Sequence, residues 1–131
     1  QKFIANGTKI IAVKDNPLMK YHKGKWMDVP PCLYYYRKDI KKCFRPRELT
    51  LDSMTDTMML AADGMKDVAT INLTQYFCTK DECPPVIGNV VVYRDQHHLT
   101  ETFVNTLTPY LEKELLLRMA ALKGQSPAGA P

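Results

Sequence analysis

The chain is poor in nucleophiles. Its 131 residues include two serines, Ser53 and Ser126. Ser126 sits in a tail of Ala, Gly and Pro, and Ser53 follows Leu51-Asp52 with no strand or Gly before it. A serine at a helix start is a cap or first-turn residue, so the chain has no serine suited to acyl chemistry. Long apolar runs are also missing: none approaches the ~18 residues a membrane span needs. There is no tight C-x2-C pair, the usual mark of a zinc site, and the three His are not placed to complete one, so no metal is expected. No internal repeat is visible. An initiator Met and a signal peptide are lacking, and Gln1 stands close to a strand-like pattern. The expectation is a piece of a longer polypeptide, in which a missing targeting segment says nothing of location.

What is present suits a packed domain. The apolar fraction is 45% and the net charge is a mild +4. Basic residues cluster at Lys20, Lys23 and Lys25, and again at Arg37, Lys38, Lys41 and Lys42, beside Tyr34, Tyr35 and Tyr36. Nucleic-acid faces interleave cations with aromatics in this way. A charge run is ordinarily a solvated loop face, however, and no nucleic-acid partner is expected. Attraction to an anionic cell-surface polymer is the other reading. The four cysteines are Cys32, Cys43, Cys78 and Cys83. Two local bridges, Cys32–Cys43 and Cys78–Cys83, are the simplest of three possible pairings, each contributing roughly 2–3 kcal/mol in the chain-entropy view. Disulfides place a protein in an oxidising, extracytoplasmic compartment; four free thiols in a cytosolic protein are the alternative.

Residues 8–14 have polar ends and an apolar centre, and Asp15-Asn16-Pro17 stops them. This is the pattern of a buried strand. Residues 18–48 read as a long irregular excursion held by one disulfide. Thr50 or Asp52 is placed to cap a helix reaching about Ala62, with Gly64 ending it. Met54, Met58, Ala61 and Met65 recur at helical spacing and read as core. Residues 68–73 and 86–93 read as further strands. Phe103, Val104, Leu107, Leu111 and Leu115 mark an amphipathic helix, which Pro109 either kinks or restarts behind Thr108. Residues 124–131 read as a disordered tail behind a domain of residues 1–123. Strands alternating with helices predict an α/β three-layer sandwich with a parallel sheet. Three strands make a thin sheet, so a preceding part of the domain is expected to supply the others.

The sharpest local pattern is Arg94-Asp95-Gln96-His97-His98-Leu99-Thr100. An apolar run ends in an Asp, a His follows three residues later, and a helix starts behind it. That spacing lets Asp95 accept a hydrogen bond from His98 Nδ1–H, fixing the tautomer and leaving Nε2 free as a base. The structural alternative is a carboxylate favoured by the helix dipole beside a surface His. His97 lacks the i+3 spacing to Asp95, and His22 lies in the basic loop. Asp15, at the end of the first strand, is a second carboxylate that an open parallel sheet would bring to its ligand edge.

The run from Val86 through Thr100 resembles the last block of SGNH-hydrolase-like domains. In particular it resembles those fused behind the multi-spanning acyltransferase-3 membrane proteins of bacteria. That block reads D-x-x-H-L-[ST] after a hydrophobic strand. Asp15-Asn16-Pro17, Pro31-Cys32, and Phe77-Cys78 through Cys83-Pro84 recur in the same order in those domains, so the resemblance spans about residues 8–117. It implies an SGNH/flavodoxin-like fold, incomplete in this chain, with Asp95 and His98 as the acid and base of a Ser-His-Asp triad. The family's nucleophilic Ser, in a Gly-Asp-Ser block, and its oxyanion-hole Gly and Asn have no counterpart here. The implied partners are the upstream half of the domain, a multi-spanning membrane domain and a glycan or glycolipid acceptor. The implied reaction is O-acyl transfer at the extracytoplasmic face of a bacterial membrane, with acyl-CoA as the ultimate donor and no cofactor on this chain. On this reading the isolated chain is inactive. A secreted SGNH esterase and a non-catalytic surface-binding module are the competing readings.

Overall fold

The computed structural model describes residues 6–21, 25–52 and 55–124. In chain order the regular elements are β1 (Ile10–Val13), α1 (Val29–Tyr35), a 3-10 turn (Ile40–Cys43), β2 (Arg45–Pro46), a π-helical turn (Glu48–Asp52), α2 (Thr57–Ala62), β3 (Val68–Ile71), a 3-10 turn (Thr74–Tyr76), β4 (Glu82–Cys83), β5 (Val86–Ile87), β6 (Val90–Val91) and α3 (Glu101–Gly124). The chain folds as two compact units. One comprises residues 1–15, 56–72 and 109–131, the other residues 16–55 and 73–108.

The first unit holds the parallel sheet. β1 and β3 pair in parallel with Ile10 opposite Val68 and Val13 opposite Ile71. Ile10 N–H to Asp67 O (3.0 Å) and Lys14 N–H to Ile71 O (2.8 Å) extend the ladder at both ends, and Lys9 pairs with the Asp67 carboxylate. Ala12 and Ile71 are buried, as apolar centres of parallel strands should be. Parallel strands need a crossover, and α2 lies in it. The Asp56 side chain caps α2 by accepting from Met59 N–H at 2.9 Å. Gly64, at φ +66°, stands just past its end.

This helix starts later than its sequence suggests. Residues 48–52 form the π-helical turn instead, and the Thr50 hydroxyl bonds back to the Pro46 and Arg47 carbonyls at 3.3 and 3.2 Å. A hydroxyl used that way does not cap a helix ahead of it. The phase set by Asp56 leaves Met58 exposed and Met59 half-buried, so the expected methionine core stripe does not form. Met54 and Ser53 lie outside the described residues.

The second unit is built on two disulfides, paired as the spacing suggested: Cys32–Cys43 with a Cα–Cα separation of 6.0 Å, and Cys78–Cys83 at 4.1 Å. The segment read as an irregular excursion carries more structure than that. Pro30 and Pro31 occupy the first turn of α1, where no backbone N–H is needed, and β2 pairs antiparallel with β4. The core gathers Pro17, Met19, Met27, Val29, Pro85, Val92 and Tyr93, all essentially without solvent contact. Phe77 and Phe103 meet edge-on, with centroids 5.4 Å apart.

The third expected strand, residues 86–93, is broken. β5 and β6 form an antiparallel hairpin turned by Gly88 and Asn89, which adopt φ of +55° and +63°. Two successive positive φ values make the type I′ turn that joins two-residue hairpins. Among the described residues the parallel sheet therefore has two strands, not three. α3 runs unbroken through Pro109. Phe103 and Leu107 are buried, Leu111 and Leu115 half-buried, and Val104 exposed. The tail expected over residues 124–131 lies outside the described residues apart from Gly124. Overall the fold is mixed α/β with a small parallel sheet and helices, the class expected for an SGNH-like domain.

Replacing Cys32 and Cys43 together by Ser should lower stability by about 2–3 kcal/mol through the loop entropy returned to the unfolded chain. Urea unfolding of the oxidised parent and the double variant measures it.

Candidate active site

Tyr93 and Leu99 pair across an antiparallel bridge and close a tight loop between them. Thr100 N–H to Val92 O (2.9 Å) continues that pairing. The Thr100 hydroxyl bonds the Val91 carbonyl at 2.6 Å and accepts from Phe103 N–H at 3.2 Å, so Thr100 caps α3 while tying it to the loop.

Inside the loop, Asp95 organises its neighbours. Its Oδ1 accepts from the backbone N–H groups of His97 (2.9 Å) and His98 (2.8 Å). Its Oδ2 lies 2.7 Å from His98 Nδ1. The Asp95 carboxyl is held well below the usual carboxylate range. The His97 N–H is the largest cause and the His98 N–H the next; partial burial opposes them, and the His98 ring adds its own hydrogen bond and charge. An ionised carboxylate accepts only, so the hydrogen on His98 Nδ1 is directed at Asp95, and in the neutral imidazole this leaves Nε2 as an acceptor. The His98 side chain is 53% exposed, open to a reacting hydroxyl.

Four of the loop's carbonyls, those of residues 95–98, are engaged. Val29 N–H bonds Asp95 O at 3.3 Å, Met19 N–H bonds Gln96 O at 3.0 Å, and Arg94 N–H bonds His98 O at 2.9 Å. Asn16 Nδ2 bonds His97 O at 2.7 Å. Three donors thus come from residues 16–29, far away in sequence, and fix the loop backbone around Asp95. These positioning roles were missed in the sequence, where Asn16-Pro17 reads as a strand stop and as one piece of the family resemblance.

His97 differs from His98. Its Nδ1 is 3.8 Å from Asp95 Oδ1, too long for a hydrogen bond. That nitrogen is shielded from solvent and unpaired. Its ring packs instead against His98, with centroids 4.0 Å apart, and against Trp26 at 6.1 Å. Asp95, His97 and His98 offer ligand atoms within 4.8 Å of one another, a spacing a divalent cation could bridge. An ion held through His98 Nδ1 would replace the Asp95–His98 hydrogen bond, and in that arrangement metal binding and acid–base use of the pair exclude each other. Asp15, the other strand-end carboxylate, belongs to the first unit. All four cysteines are disulfide-bonded and cannot act as nucleophiles. Ser53, Ser126 and His22 lie outside the described residues.

An Asp–His pair in a D-x-x-H-L-T loop at a helix start narrows the comparison. The family described as "SGNH domain (fused to AT3 domains)" matches residues 1–113. The chain belongs to that family. No curated protein and no solved structure matches it. Membership in this SGNH family brings an acyltransferase- or esterase-like role in general, and fusion to AT3 domains marks a membrane acyltransferase as the partner domain.

Because the folded Asp95 carboxyl is more acidic than the unfolded one, its contribution to stability is complete above the ordinary carboxylate range and is lost as pH falls through and below it. Asp95→Asn keeps the Oδ1 acceptor but removes the charge. The melting-temperature gap between parent and Asp95→Asn should therefore be widest near about pH 6 and shrink steadily toward about pH 2–3. Calorimetric scans across that range measure it.

Proposed function

We propose that this SGNH domain takes part in O-acyl transfer to a cell-envelope glycan or glycolipid, with Asp95 and His98 as the acid and base of a Ser-His-Asp triad. The observation that carries the reading is the 2.7 Å contact between Asp95 Oδ2 and His98 Nδ1, made by a carboxylate that backbone N–H groups keep ionised. The nucleophile is a serine from a preceding part of the same domain, whose residues also form the oxyanion hole. Acyl groups reach it through the membrane-embedded acyltransferase-3 domain, with acyl-CoA as the ultimate donor. The site works on the extracytoplasmic side, where the two disulfides persist.

In the acylation step His98 Nε2 takes the serine proton as the hydroxyl attacks the acyl carbonyl. Asp95 stabilises the imidazolium that forms and holds the ring in register; it does not itself take up the proton. The same imidazolium returns the proton to the leaving group. In the second half-reaction His98 deprotonates the acceptor hydroxyl as it attacks the acyl carbonyl, and the imidazolium gives that proton to the departing serine oxygen as the acyl group leaves on the acceptor. Exposure of His98 suits this second step, because the acceptor must reach Nε2 from outside the loop.

In the complete protein, His98→Ala should lower acyl transfer by about 10²–10⁴-fold, the usual worth of a positioned general base. Asp95→Asn should also cost orders of magnitude by favouring the wrong tautomer. Both are read as initial rates of acetyl release from an ester donor into an acceptor glycan. Full activity after His98→Ala would remove this residue from the mechanism. The chain by itself should show no serine-dependent turnover in a p-nitrophenyl acetate assay.

A further inference from the structure

Trp26 is the chain's single tryptophan, and 48% of it is exposed. Its position is set by the residues around it. Lys20 and Trp26 pair across an antiparallel bridge. Met27 N–H to Met19 O (2.8 Å) and Tyr21 N–H to Lys25 O (2.7 Å) flank that bridge. Met19 and Met27 are fully buried. Successive residues of an extended pair face opposite sides, so anchoring Met19 and Met27 in the core turns Lys20 and Trp26 outward. Met19 also donates to Gln96 O (3.0 Å), so the same short pairing holds the catalytic loop.

Trp26 adjoins that loop directly. Its ring centroid is 6.1 Å from that of His97, with the planes inclined at 50°, and the His97 ring is 4.0 Å from His98. The rings of Trp26, His97 and His98 form a row that ends at the candidate base. Lys20 Nζ stands 5.3 Å from the Trp26 centroid. Residues 16–47 carry nine Lys or Arg against two Asp. Every cation–aromatic pair among the described residues has both members between residues 20 and 45.

An indole half open to water presents an electron-rich face to which the positively polarised C–H groups of a sugar ring are attracted. A cation held over that indole, as Lys20 is, adds selectivity for negative charge. We infer that Trp26 and Lys20 form the acceptor subsite of the proposed transfer, and that the saccharide they take is anionic. One pyranose stacks on the indole, the Lys20 ammonium that lies over the ring in the free chain moves off it to meet the sugar's acidic group, and the ring row leads from the stacked sugar to His98. Only the placing of an acceptor hydroxyl at His98 rests on the acyl-transfer reading; the binding does not.

Because no other tryptophan is present in these 131 residues, their tryptophan emission, excited selectively over the tyrosines, reports this site. The titrants are tetragalacturonate (anionic pyranoses), maltotetraose (neutral pyranoses) and tetraglutamate (charge without sugar). Tetragalacturonate should change the emission saturably, with a Kd at least about tenfold below those of the other two. Lys20→Ala should weaken it about tenfold and flatten its salt dependence. By calorimetry, Trp26→Ala should abolish binding and Trp26→Phe should keep part of it, with circular dichroism confirming that each variant is folded. Equal affinity for maltotetraose overturns the anionic preference, and equal affinity for tetraglutamate overturns the stacking. A folded parent whose emission responds to none of the three overturns the subsite. No turnover is needed, so this result is separate from that of His98→Ala on transfer.

Discussion

The candidate site depends on the engagement of four successive carbonyls, those of Asp95, Gln96, His97 and His98, by four donors. A peptide loop with free carbonyls has many conformations within thermal reach, each pointing the Asp95 side chain elsewhere. With all four bonded, the backbone has one arrangement, and the carboxylate lies where two amide hydrogens and an imidazole converge on it. Asp95 is acidic because the loop is fixed, and His98 holds one tautomer because Asp95 is acidic. The orientation of Nε2 follows from hydrogen bonds to the loop backbone made by residues distant in sequence.

The disulfides belong to the same chain of dependence. Cys32–Cys43 ties down α1, whose first residue, Val29, is the donor to Asp95 O. Cys78–Cys83 ends in β4, which pairs with β2, and the Cys83 sulfur touches the buried Thr50 hydroxyl at 2.9 Å. Thr50 O in turn accepts from Leu18 N–H at 3.2 Å, next to the residues that hold the loop. Both bridges therefore act on residues 16–29, which carry the clamp. The oxidised cysteines and the site geometry are two ends of one set of contacts.

What could be read from the sequence follows the range of the interactions. The Asp95–His98 contact spans three residues, so spacing alone exposed it. β1 and β3 were legible as short apolar runs, and the two disulfides as neighbouring cysteines. The broken third strand was hidden by its own composition, because residues 86–93 are apolar enough to mask a turn that Gly88 and Asn89 make with positive φ. The start of α2 was misplaced because Thr50, Asp52 and Asp56 are all good caps, and tertiary contacts around Thr50 decide among them. Asn16, Met19, Val29 and Trp26 were illegible as neighbours of the Asp95–His98 loop. Their partners lie between 66 and 81 positions away, and no local pattern marks a pairing of that length.

That separation has a consequence for the order in which the molecule forms. The Asp95–His98 pair is a local contact, available to a chain that is still largely unfolded. The clamp is not: it forms only when residues 16–29 return to residues 95–97, closing a loop whose entropy must be met first. Pairing can precede positioning, and a partly folded chain can hold the dyad without its alignment. The amide hydrogens of Met19 and Val29 then serve as clocks for the finished site, since their exchange with solvent stops only when the loop they hold has taken its final shape.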